Sequence, residues 1–564
     1  MARTISIGSQ GFDSIRERGN YYVDKTEFIR EWWEAEDEIT LITRPRRFGK
    51  TLNLSMLNCF FSVKYQGRSD LFEGLKIWES LDYQKFQGTY PVIFMSFADV
   101  KQGNYEDAVQ KIKNILVELY SGFSFLQKWE GLSEKEKVQF AAVSMDMTEV
   151  MAQDAVKNLS NYLSRYYGKK VIILLDEYDT PMQEAYLYGY WDRFIMFMRS
   201  LFNASLKTNP YLERALLTGI TRVSKESVFS DLNNINVVTT TSNAYEVCFG
   251  FTQEEVYSGL EEMGLSDQRE NVKKWYDGFT FGRCKDIYNP WSITNYLKKK
   301  EYKTYWADTS SNGLISSLLQ RADADVKEEM EMLLKGECLE KILDEQIIFD
   351  RLEKEENAIW SLLLASGYLC VDSYRLDSRT QEKICCLKLT NFEVNLMFEK
   401  MIRDWFGTVA PNYNHFVAAM LEHDLEEMNY YMNRITLSIF SFFDTADGSR
   451  RLEEPERFYH GFVLGMLVDL RNDYEVLSNR ESGLGRYDVM LVPKNPADLK
   501  KSAVVMEFKV HRGEREESLE DTVCAARRQI DDKKYDSVLL EKGISQERIY
   551  HYGFAFRGKE VLIG

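Results

Sequence analysis

Cysteine and histidine are scarce in this sequence, and neither is spaced as a zinc site requires. The 564 residues include eight cysteines and five histidines, without a CxxC pair and without a histidine cluster. Because structural zinc sites draw about four such ligands from short, regular spacings, the pattern argues against zinc. We expect the cysteines to be reduced thiols in the core, and we expect any metal site to be built from carboxylates.

Long apolar runs are also missing. Segments such as Val171 to Leu175 and Phe462 to Leu470 are far shorter than the roughly 20 residues of a membrane-spanning helix. The beginning of the sequence, MARTISIGSQGFDSIRERGNYYVDKTEF, lacks the apolar stretch that follows the basic residues of a signal peptide. The sequence therefore predicts a cytoplasmic protein that does not bind membranes.

Positive charge is in deficit, since the formal net charge is −17. Attraction to nucleic-acid phosphates depends on clustered lysines and arginines, so a nucleic-acid site on this chain must be local. Apolar residues make up 44% and charged residues 28%, with nine prolines, which is typical of folded globular proteins. At this length one hydrophobic core is not enough, and we expect roughly three or four folding units.

Strand-like and helix-like patterns divide the sequence into four parts. Residues 1–260 alternate short aliphatic runs with amphipathic stretches, which predicts an α/β domain with a parallel sheet and crossover helices. Residues 261–440 are predicted to be mainly helical, 441–454 to be a linker, and 455–564 to form a final α/β domain. The fold class is therefore α/β and multidomain. The strand candidates of the first part are Ile39 to Thr43, Tyr90 to Phe97, Val171 to Leu175 and Ala215 to Ile220.

A phosphate-binding loop, or P-loop, is indicated by the segment LITRPRRFGKTLNLSML, which places a strand, a turn and an amphipathic helix around Gly49, Lys50 and Thr51. Phosphate binding needs inward-pointing amides at a helix N-terminus, an ammonium group and a hydroxyl for Mg²⁺, and these three residues supply them. The usual first glycine of such a loop is replaced by Arg44. The further residues that we expect to contact a nucleotide are Arg46, Arg47, Phe48 and Leu52.

Acidic residues follow the aliphatic strand VIILL, at the edge where ligands of parallel sheets bind. Asp176 would hold Mg²⁺ and Glu177 would polarise the attacking water, while Asp179 is a weaker candidate. A third strand, ALLTGITRV, offers Thr218 to sense the γ-phosphate and Arg222 to reach a nucleotide. Two plainer interpretations stay open, namely a strand that ends in a polar turn and a solvated loop arginine.

A second candidate site lies in the last part, where GLGRYDVMLVP and SAVVMEFKV read as neighbouring strands. Period-two alternation places Glu507 and Lys509 on one face of the second strand, and Asp488 lies in the first. Phosphodiester cleavage can use this trio, with Asp488 and Glu507 holding Mg²⁺ and Lys509 orienting or deprotonating the attacking water. An ion-paired surface hairpin is the alternative.

A series of segments resembles, in order, the predicted AAA-ATPase-like family of bacteria. The segments are YYVDKTEFI, RPRRFGKTL, YPVIFMSF, LLDEYDTP, TGITRVSKESVFSDLNN, YDGFTFG, YNPWSI and TNFEV. The family's loop also resembles RPRRFGKT, which implies that Arg44 is a family trait and that the chain binds ATP. Its members characteristically carry a C-terminal domain of the PD-(D/E)XK nuclease superfamily, with a restriction-endonuclease-like αβββαβ core. That superfamily often supports its active site with a glutamine on the helix after the strands, a role that Gln529 would fill.

The leading hypothesis is an ATP-binding, ATP-hydrolysing protein whose nucleotide state governs a Mg²⁺-dependent nuclease. ATP and Mg²⁺ are the expected cofactors, and nucleic acid is the expected partner, with DNA preferred over RNA. Assembly into a homo-oligomer is left open. The competing hypothesis is a nucleotide-dependent switch or scaffold whose last domain binds nucleic acid or protein without cleaving it. A basic cluster near the second site could meet phosphates, with a solvated face as the alternative: Arg527, Arg528, Lys533 and Lys534.

Overall fold

The computed structural model describes residues 2–222, 234–307, 313–322, 324–343, 356–405, 410–443, 454–482, 485–511, 518–557 and 560–564. The chain divides into two compact units. The first unit comprises Met1–Leu314 and Gly336–Asn395, and the second comprises Ile315–Lys335 and Leu396–Gly564. The boundaries at residues 260, 440 and 454 stay predictions. None of the described helices has the combination of length and apolarity that is needed to cross a membrane.

Parallel strands form the central sheet of the first unit. They are β1 (Ile39–Thr43), β2 (Val92–Ser96), β3 (Val171–Asp176), β4 (Leu212–Gly219) and β5 (Ile235–Val238). Their order across the sheet is β2-β3-β4-β1-β5, so the predicted parallel sheet is confirmed. Every residue of β1 and β3 is buried, as expected for strands with helices on both faces. The sequence did not predict β5, because INVV is too short to stand out from a loop.

Helices connect these strands and pack against the sheet. Several begin where a polar side chain accepts a backbone N–H, as Asn104 does from Asp107 and Thr148 does from Met151. The helices up to residue 300 are α1 (Phe12–Glu17), α2 (Glu27–Glu34), α3 (Lys50–Phe61), α4 (Leu81–Phe86), α5 (Tyr105–Ser121), α6 (Glu134–Ala141), α7 (Glu149–Tyr167), α8 (Thr180–Leu187), α9 (Trp191–Phe202), α10 (Gln253–Glu262), α11 (Arg269–Tyr276) and α12 (Pro290–Lys299).

The middle region is mainly helical, as predicted, with short strands between the helices. The strands are β6 (Phe279–Phe281), β7 (Cys284–Ile287), β8 (Leu339–Ile342), β9 (Leu369–Leu376) and β10 (Lys383–Leu389). The strands β6 and β7 form a hairpin, and the other three form an antiparallel sheet in the order β8-β10-β9. The further helices are α13 (Gly313–Arg321), α14 (Ala324–Leu334), α15 (Glu356–Ala365), α16 (Phe392–Trp405), α17 (Ala410–Glu422) and α18 (Leu425–Phe443).

The cysteines differ from the expectation of reduced core thiols in two respects. Cys338 and Cys386 form a disulfide between the residue before β8 and the neighbouring strand β10, with their Cα atoms 5.5 Å apart. Cys524 is exposed, whereas Cys59 and Cys248 are buried as expected. Spacing along the chain could not indicate the pair, because the sequence separation of 48 residues is closed only by the pairing of the two strands.

The second unit contains a mixed sheet with the strand order β11-β12-β13-β14-β15, and the restriction-endonuclease-like layout predicted for it is confirmed. Its strands are β11 (Tyr474–Ser482), β12 (Gly485–Pro493), β13 (Ala503–Val510), β14 (Ile549–Arg557) and β15 (Glu560–Ile563), and its last helices are α19 (Glu454–Leu470), α20 (Leu519–Lys533) and α21 (Ser537–Glu541). The strands β13 and β14 pair in parallel, and α20 lies in the crossover between them, which such a pair requires.

Both faces of this second sheet are covered by helices. On one face, Phe416, Met428 and Phe462 from α17, α18 and α19 pack with sheet residues such as Met506. On the other face, Ile530 of α20 and Leu539 of α21 pack with Met490 and Val505. Since side chains alternate along a strand, Glu507 and Lys509 lie on the face of Val505, beneath α20.

The outer edge of β15 is paired with side chains in place of another strand. Asn429 of α18 donates to the carbonyl of Ile563 and accepts from its N–H, both at 2.8 Å. Asn433 makes the same two bonds to Val561, at 2.7 and 3.0 Å. The two asparagines are one helical turn apart, so their amides meet alternate residues of the strand. This edge strand therefore has partners for the backbone groups that face away from the sheet.

The segment YDGFTFG forms a buried turn in the first unit. A Cβ on Gly278, whose φ is +121°, would lie 1.9 Å from the carbonyl oxygen of Thr390, so the turn admits no side chain there. Asp277 is buried, and Lys273 Nζ lies 3.2 Å from both Asp277 and Asp286. Burial, and next the neighbouring Asp286, raise the pKa of Asp277 to about 6, while Lys273 opposes the shift.

Replacing Asp277 should change the pH dependence of stability. A carboxyl with a raised folded-state pKa stabilises the fold below its unfolded pKa of 3.8, and this contribution is lost as pH rises through about 6. We expect Asp277→Asn to raise the urea midpoint more at about pH 8 than at about pH 5.5, because the variant never carries the buried charge. The exposed Asp267→Asn is the control. A loss of stability at the higher pH would contradict the assignment.

Candidate nucleotide and nuclease sites

The P-loop lies between β1 and α3, with Gly49 preceding the first helical residue. Gly49 has φ +83°, and none of the described side chains caps the N-terminus of α3, so its first amides are available to an anion. Lys50 is only 4% exposed, and its Nζ donates to the carbonyl oxygens of Arg44 at 2.9 Å and Pro45 at 2.8 Å. Burial lowers the pKa of Lys50, while Glu177 and Asp176 oppose this.

Arg44 is a buried structural residue at the start of this loop. Its guanidinium donates to the carbonyl oxygens of Thr43 at 2.9 Å and Thr239 at 2.7 Å. The same group lies 4.7 Å from the ring centroid of Phe281. Arg44 thus ties the P-loop to the segment after β5 and to the β6–β7 hairpin. The position that usually carries a flexible glycine is here fixed by side-chain packing.

The carboxylate of Asp176 lies where β3 ends, between hydroxyls from two neighbouring elements. Thr51 of α3 donates to Oδ2 and Thr218 of β4 donates to Oδ1, both at 2.6 Å. Burial raises the pKa of Asp176, and the hydrogen bonds from Thr218 and Thr51 oppose the shift. Since β4 lies between β1 and β3, the parallel sheet brings these three side chains together. Oxygen ligands of this kind suit Mg²⁺, with Thr51 and Asp176 as the residues that would hold it.

Glu177 follows Asp176 in a strained backbone conformation. Its φ is +50°, a region that residues other than glycine seldom adopt. The side chain is partly exposed and accepts a hydrogen bond from the hydroxyl of Thr180 at 2.9 Å. A carboxylate that is accessible and held at the carboxyl end of β3 has the placement that a water-polarising group needs.

Asp179 supports the end of β4. Its Oδ2 accepts from the backbone N–H groups of Ile220 at 3.0 Å and Thr221 at 2.8 Å, and from the Thr221 hydroxyl at 2.8 Å. These bonds fix the turn after Thr218, so Asp179 acts on the site through that turn. Arg222, next along the chain, lines a small cavity with Thr43 and other residues of the first unit. Its contact with a nucleotide stays a prediction.

The remaining P-loop residues that were predicted to contact a nucleotide differ in their exposure. The ring of Phe48 is buried, with its centroid 4.7 Å from that of Phe279, so its part in a nucleotide site would rest on its backbone. Arg47 is exposed, and its guanidinium lies 4.4 Å from the ring centroid of Trp291. Leu52 is partly exposed in the first turn of α3.

The backbone of Arg46 has two partners that the sequence did not indicate. Its carbonyl oxygen accepts from Trp306 Nε1 at 3.0 Å and from Asn289 Nδ2 at 3.4 Å. Asn289 also caps α12, where its Oδ1 accepts from the N–H groups of Trp291 and Ser292. The segment YNPWSI contained the signal for Asn289, because an Asn-Pro pair predicts a helix start. Nothing in the sequence relates it to a loop more than 240 residues earlier.

The second site brings together all four residues predicted for it. Asp488 of β12 accepts at Oδ2 from the backbone N–H of Phe508 at 2.8 Å. Lys509 Nζ donates to Gln529 Oε1 at 2.8 Å, and Gln529 Nε2 donates to Glu507 Oε1. Gln529 on α20 therefore bridges the lysine and the glutamate of β13.

A cation fits beside Glu507. The residue is 3% exposed, and its Oε2 is buried without a hydrogen-bond partner among the residues that the structure describes. Burial, and then the neighbouring Asp488, raise the pKa of Glu507 to about 8, while Lys509 opposes the shift. Within the described ranges no group of three or more His, Cys, Asp or Glu side chains could hold a metal. Asp488 and Glu507 would therefore share Mg²⁺ with water, main-chain or phosphate oxygens.

The basic residues of α20 face solvent. Arg527, Arg528, Lys533 and Lys534 are all exposed. His551 lies nearby on β14, with Nε2 2.7 Å from Asp536 and Nδ1 3.3 Å from Asp531. Contact of the basic residues with phosphates stays a prediction.

Both sites lie in regions that match models of known families. Residues 6–229 match the family model described as "Predicted AAA-ATPase", and residues 454–564 match that of the PD-(D/E)XK nuclease superfamily. A protein of Azotobacter chroococcum mcd 1, described as "Uncharacterized protein in vnfD 5'region", is 25% identical over 371 residues. That match covers 65% of this chain and 64% of the relative, so it spans less than two thirds of the relative's length. The chain thus joins a domain of the predicted AAA-ATPase family to a domain of the PD-(D/E)XK nuclease superfamily.

Proposed function

We propose that the chain binds and hydrolyses ATP with Mg²⁺, and that its nucleotide state governs Mg²⁺-dependent cleavage of nucleic-acid phosphodiester bonds by the second unit. The observation that carries this proposal is the arrangement around Glu507. This buried carboxylate lies beside Asp488, Lys509 and Gln529, and one of its oxygens has no hydrogen-bond partner in the described part of the chain. Burial of a charged carboxylate costs free energy, so such a group is expected where a bound cation compensates its charge. DNA is the preferred substrate over RNA, and self-association is left open.

In the first unit, each group has a separate task. The amides at the start of α3 and the ammonium of Lys50 bind phosphate oxygens, for which Lys50 exchanges its two carbonyl partners. Mg²⁺, held by Thr51 and Asp176, would neutralise charge on the phosphates. Glu177 orients and polarises the attacking water, and Thr218 fixes Asp176 while facing the same edge of the sheet.

In the second unit, Lys509 is the group assigned to the attacking water. It orients that water or takes its proton, and Gln529 fixes the position of its ammonium. Asp488 and Glu507 would hold Mg²⁺, which supplies charge stabilisation at the scissile phosphate. Their carboxylates are themselves placed by the N–H of Phe508 and by Gln529.

We expect that replacing Arg44 with the glycine that is usual at this position of a P-loop destabilises the fold. Arg44→Gly removes charged hydrogen bonds to at least two carbonyls and the contact with Phe281. We expect a loss of about 3 kcal/mol in the free energy of unfolding and no gain in ATP affinity. Urea unfolding and calorimetric ATP titration measure the two effects, with Arg18→Ala, at an exposed residue outside the P-loop, as control. Tighter ATP binding by Arg44→Gly would contradict this role.

Two variants separate ATP binding from hydrolysis. Lys50→Ala should weaken ATP binding by at least about 100-fold, because it removes the buried ammonium. Glu177→Gln should bind ATP normally and lower turnover at least about 100-fold, because the amide cannot polarise water. Calorimetry and phosphate release are the measurements, and the exposed pair Lys76→Ala and Glu79→Gln are matched controls. Normal turnover by Glu177→Gln would exclude it as the catalytic carboxylate.

The nuclease assignment is tested with plasmid DNA, single-stranded DNA and RNA in Mg²⁺. We expect Glu507→Gln and Lys509→Ala each to lower cleavage at least about 1,000-fold, and chelation with EDTA to abolish it in the wild type. The matched controls are Glu475→Gln and Lys542→Ala, an exposed ion pair of the same unit. Cleavage that survives both site variants would exclude Glu507 and Lys509 as the nuclease site. No cleavage of any substrate, while ATP still binds, would favour a switch or scaffold.

A further inference from the structure

The carbonyl groups of three consecutive P-loop residues face two different sets of partners. Those of Arg44 and Pro45 accept from Lys50, at 2.9 and 2.8 Å. That of Arg46 accepts from Trp306 Nε1 at 3.0 Å. The three carbonyls follow one another along one loop, and the backbone angles φ and ψ between them set the direction of each. A phosphate that draws Lys50 away from the first two carbonyls therefore acts on the short segment whose third carbonyl Trp306 binds.

Trp306 is in turn bonded to a buried glutamate. The backbone N–H of Trp306 donates to Glu393 Oε1 at 2.5 Å, and Ser292 of α12 donates to Oε2 at 2.8 Å. Glu393 is 1% exposed. It thus contacts both segments that bind the Arg46 carbonyl, namely Trp306 itself and the helix that Asn289 caps. A buried carboxylate with several donors responds strongly to the loss of any one of them.

Glu393 lies in the first turn of α16, the helix in which the chain passes from the first unit to the second after Asn395. Within the second unit, Glu399 of α16 accepts from Arg471, directly after α19. Arg403 of α16 lies 3.2 Å from Asp469 of α19, between Nε and Oδ1. In the same unit α19 packs on the sheet that carries Asp488 and Glu507.

We propose that Trp306 and Glu393 are positioning residues that relay the occupancy of the P-loop to α16 and so to the nuclease unit. The proposal rests on the proposed function of the two sites and adds the route of regulation between them. ATP favours one arrangement of the Arg46 carbonyl because the three N–H donors of Lys50 cannot bind oxygens of two phosphates and both loop carbonyls at once. Trp306 transfers that difference to Glu393, at the start of α16.

Trp306→Phe tests the relay by removing one donor. The phenyl ring can keep the ring contacts with Phe279 and Tyr368, whose centroids lie 5.6 and 5.3 Å away, but it loses the Nε1–H bond to Arg46. Trp32→Phe is the matched control, since Trp32 is fully buried in the same unit and its Nε1 donates to Thr40 at 3.2 Å. Both variants lose an indole hydrogen bond, and only one of these bonds reaches the P-loop.

The measurement is hydrogen–deuterium exchange of the peptide covering residues 396–405 in the full chain, with and without Mg²⁺ and a slowly hydrolysed ATP analogue. We expect the analogue to change exchange there in the wild type and in Trp32→Phe. In Trp306→Phe this effect should fall at least about fivefold, although calorimetry should still show binding within about threefold of the wild type. Glu393→Gln, which keeps an acceptor for the Trp306 N–H, should retain most of the effect, and Glu393→Ala should lose it.

The outcomes distinguish a failure of the relay from a failure of the proposed function of the P-loop. An analogue that binds but leaves exchange of 396–405 unchanged in the wild type overturns the relay, as does an unreduced effect in Trp306→Phe. Absence of binding in the wild type overturns the proposed function of the P-loop itself. Where cleavage is measurable, the ratio of rates with and without the analogue should approach one in Trp306→Phe, while the rate without it stays unchanged.

Discussion

The burial of Asp176 between two hydroxyl donors is the constraint on which the first unit depends. A carboxylate without water costs several kcal/mol unless hydrogen bonds replace the lost solvation. Thr51 and Thr218 provide them from α3 and β4, which requires the P-loop helix, the acidic strand and the strand between them to meet at one edge. The contact of Asp176 with Thr51 and Thr218 depends on the strand order of the sheet, on the left-handed backbone conformation of Gly49 and on the turn that Asp179 fixes.

The second unit also contains a buried carboxylate, that of Glu507, whose hydrogen bonds differ from those of Asp176. Among the described residues, Asp176 has a donor for each oxygen, whereas Glu507 has a donor at Oε1 and none at Oε2. Hydrogen bonds therefore compensate the burial of both Asp176 oxygens, and of only one Glu507 oxygen. Burial, and then the neighbouring Asp488, raise the pKa of Glu507 to about 8. Gln529 bonds to both Glu507 and Lys509 and so holds these two residues together.

Much of the fold and of both sites was predictable from the sequence, because the signals are local. Aliphatic runs gave β1 and β3, and alternation along β13 placed Glu507 and Lys509 on one face. Gln529 came from the family resemblance rather than from any pattern. The partners of the Arg44 side chain and the Arg46 carbonyl were not predictable, since Thr239 and Trp306 lie 195 and 260 residues away. The disulfide between Cys338 and Cys386 was not predictable for the same reason, since the two cysteines are 48 residues apart.

The asparagine pair on α18 lies outside the region that matches the PD-(D/E)XK nuclease superfamily, although it binds a strand within that region. An unpaired sheet edge invites another molecule to add a strand, and such edge-to-edge association leads to aggregation. Asn429 and Asn433 occupy the backbone groups of β15, yet both precede residue 454, where the match to the nuclease superfamily begins. A fragment that starts there would lose the residues that keep its last strand from recruiting a neighbour. Solubility of this domain thus depends on a helix outside the homologous region.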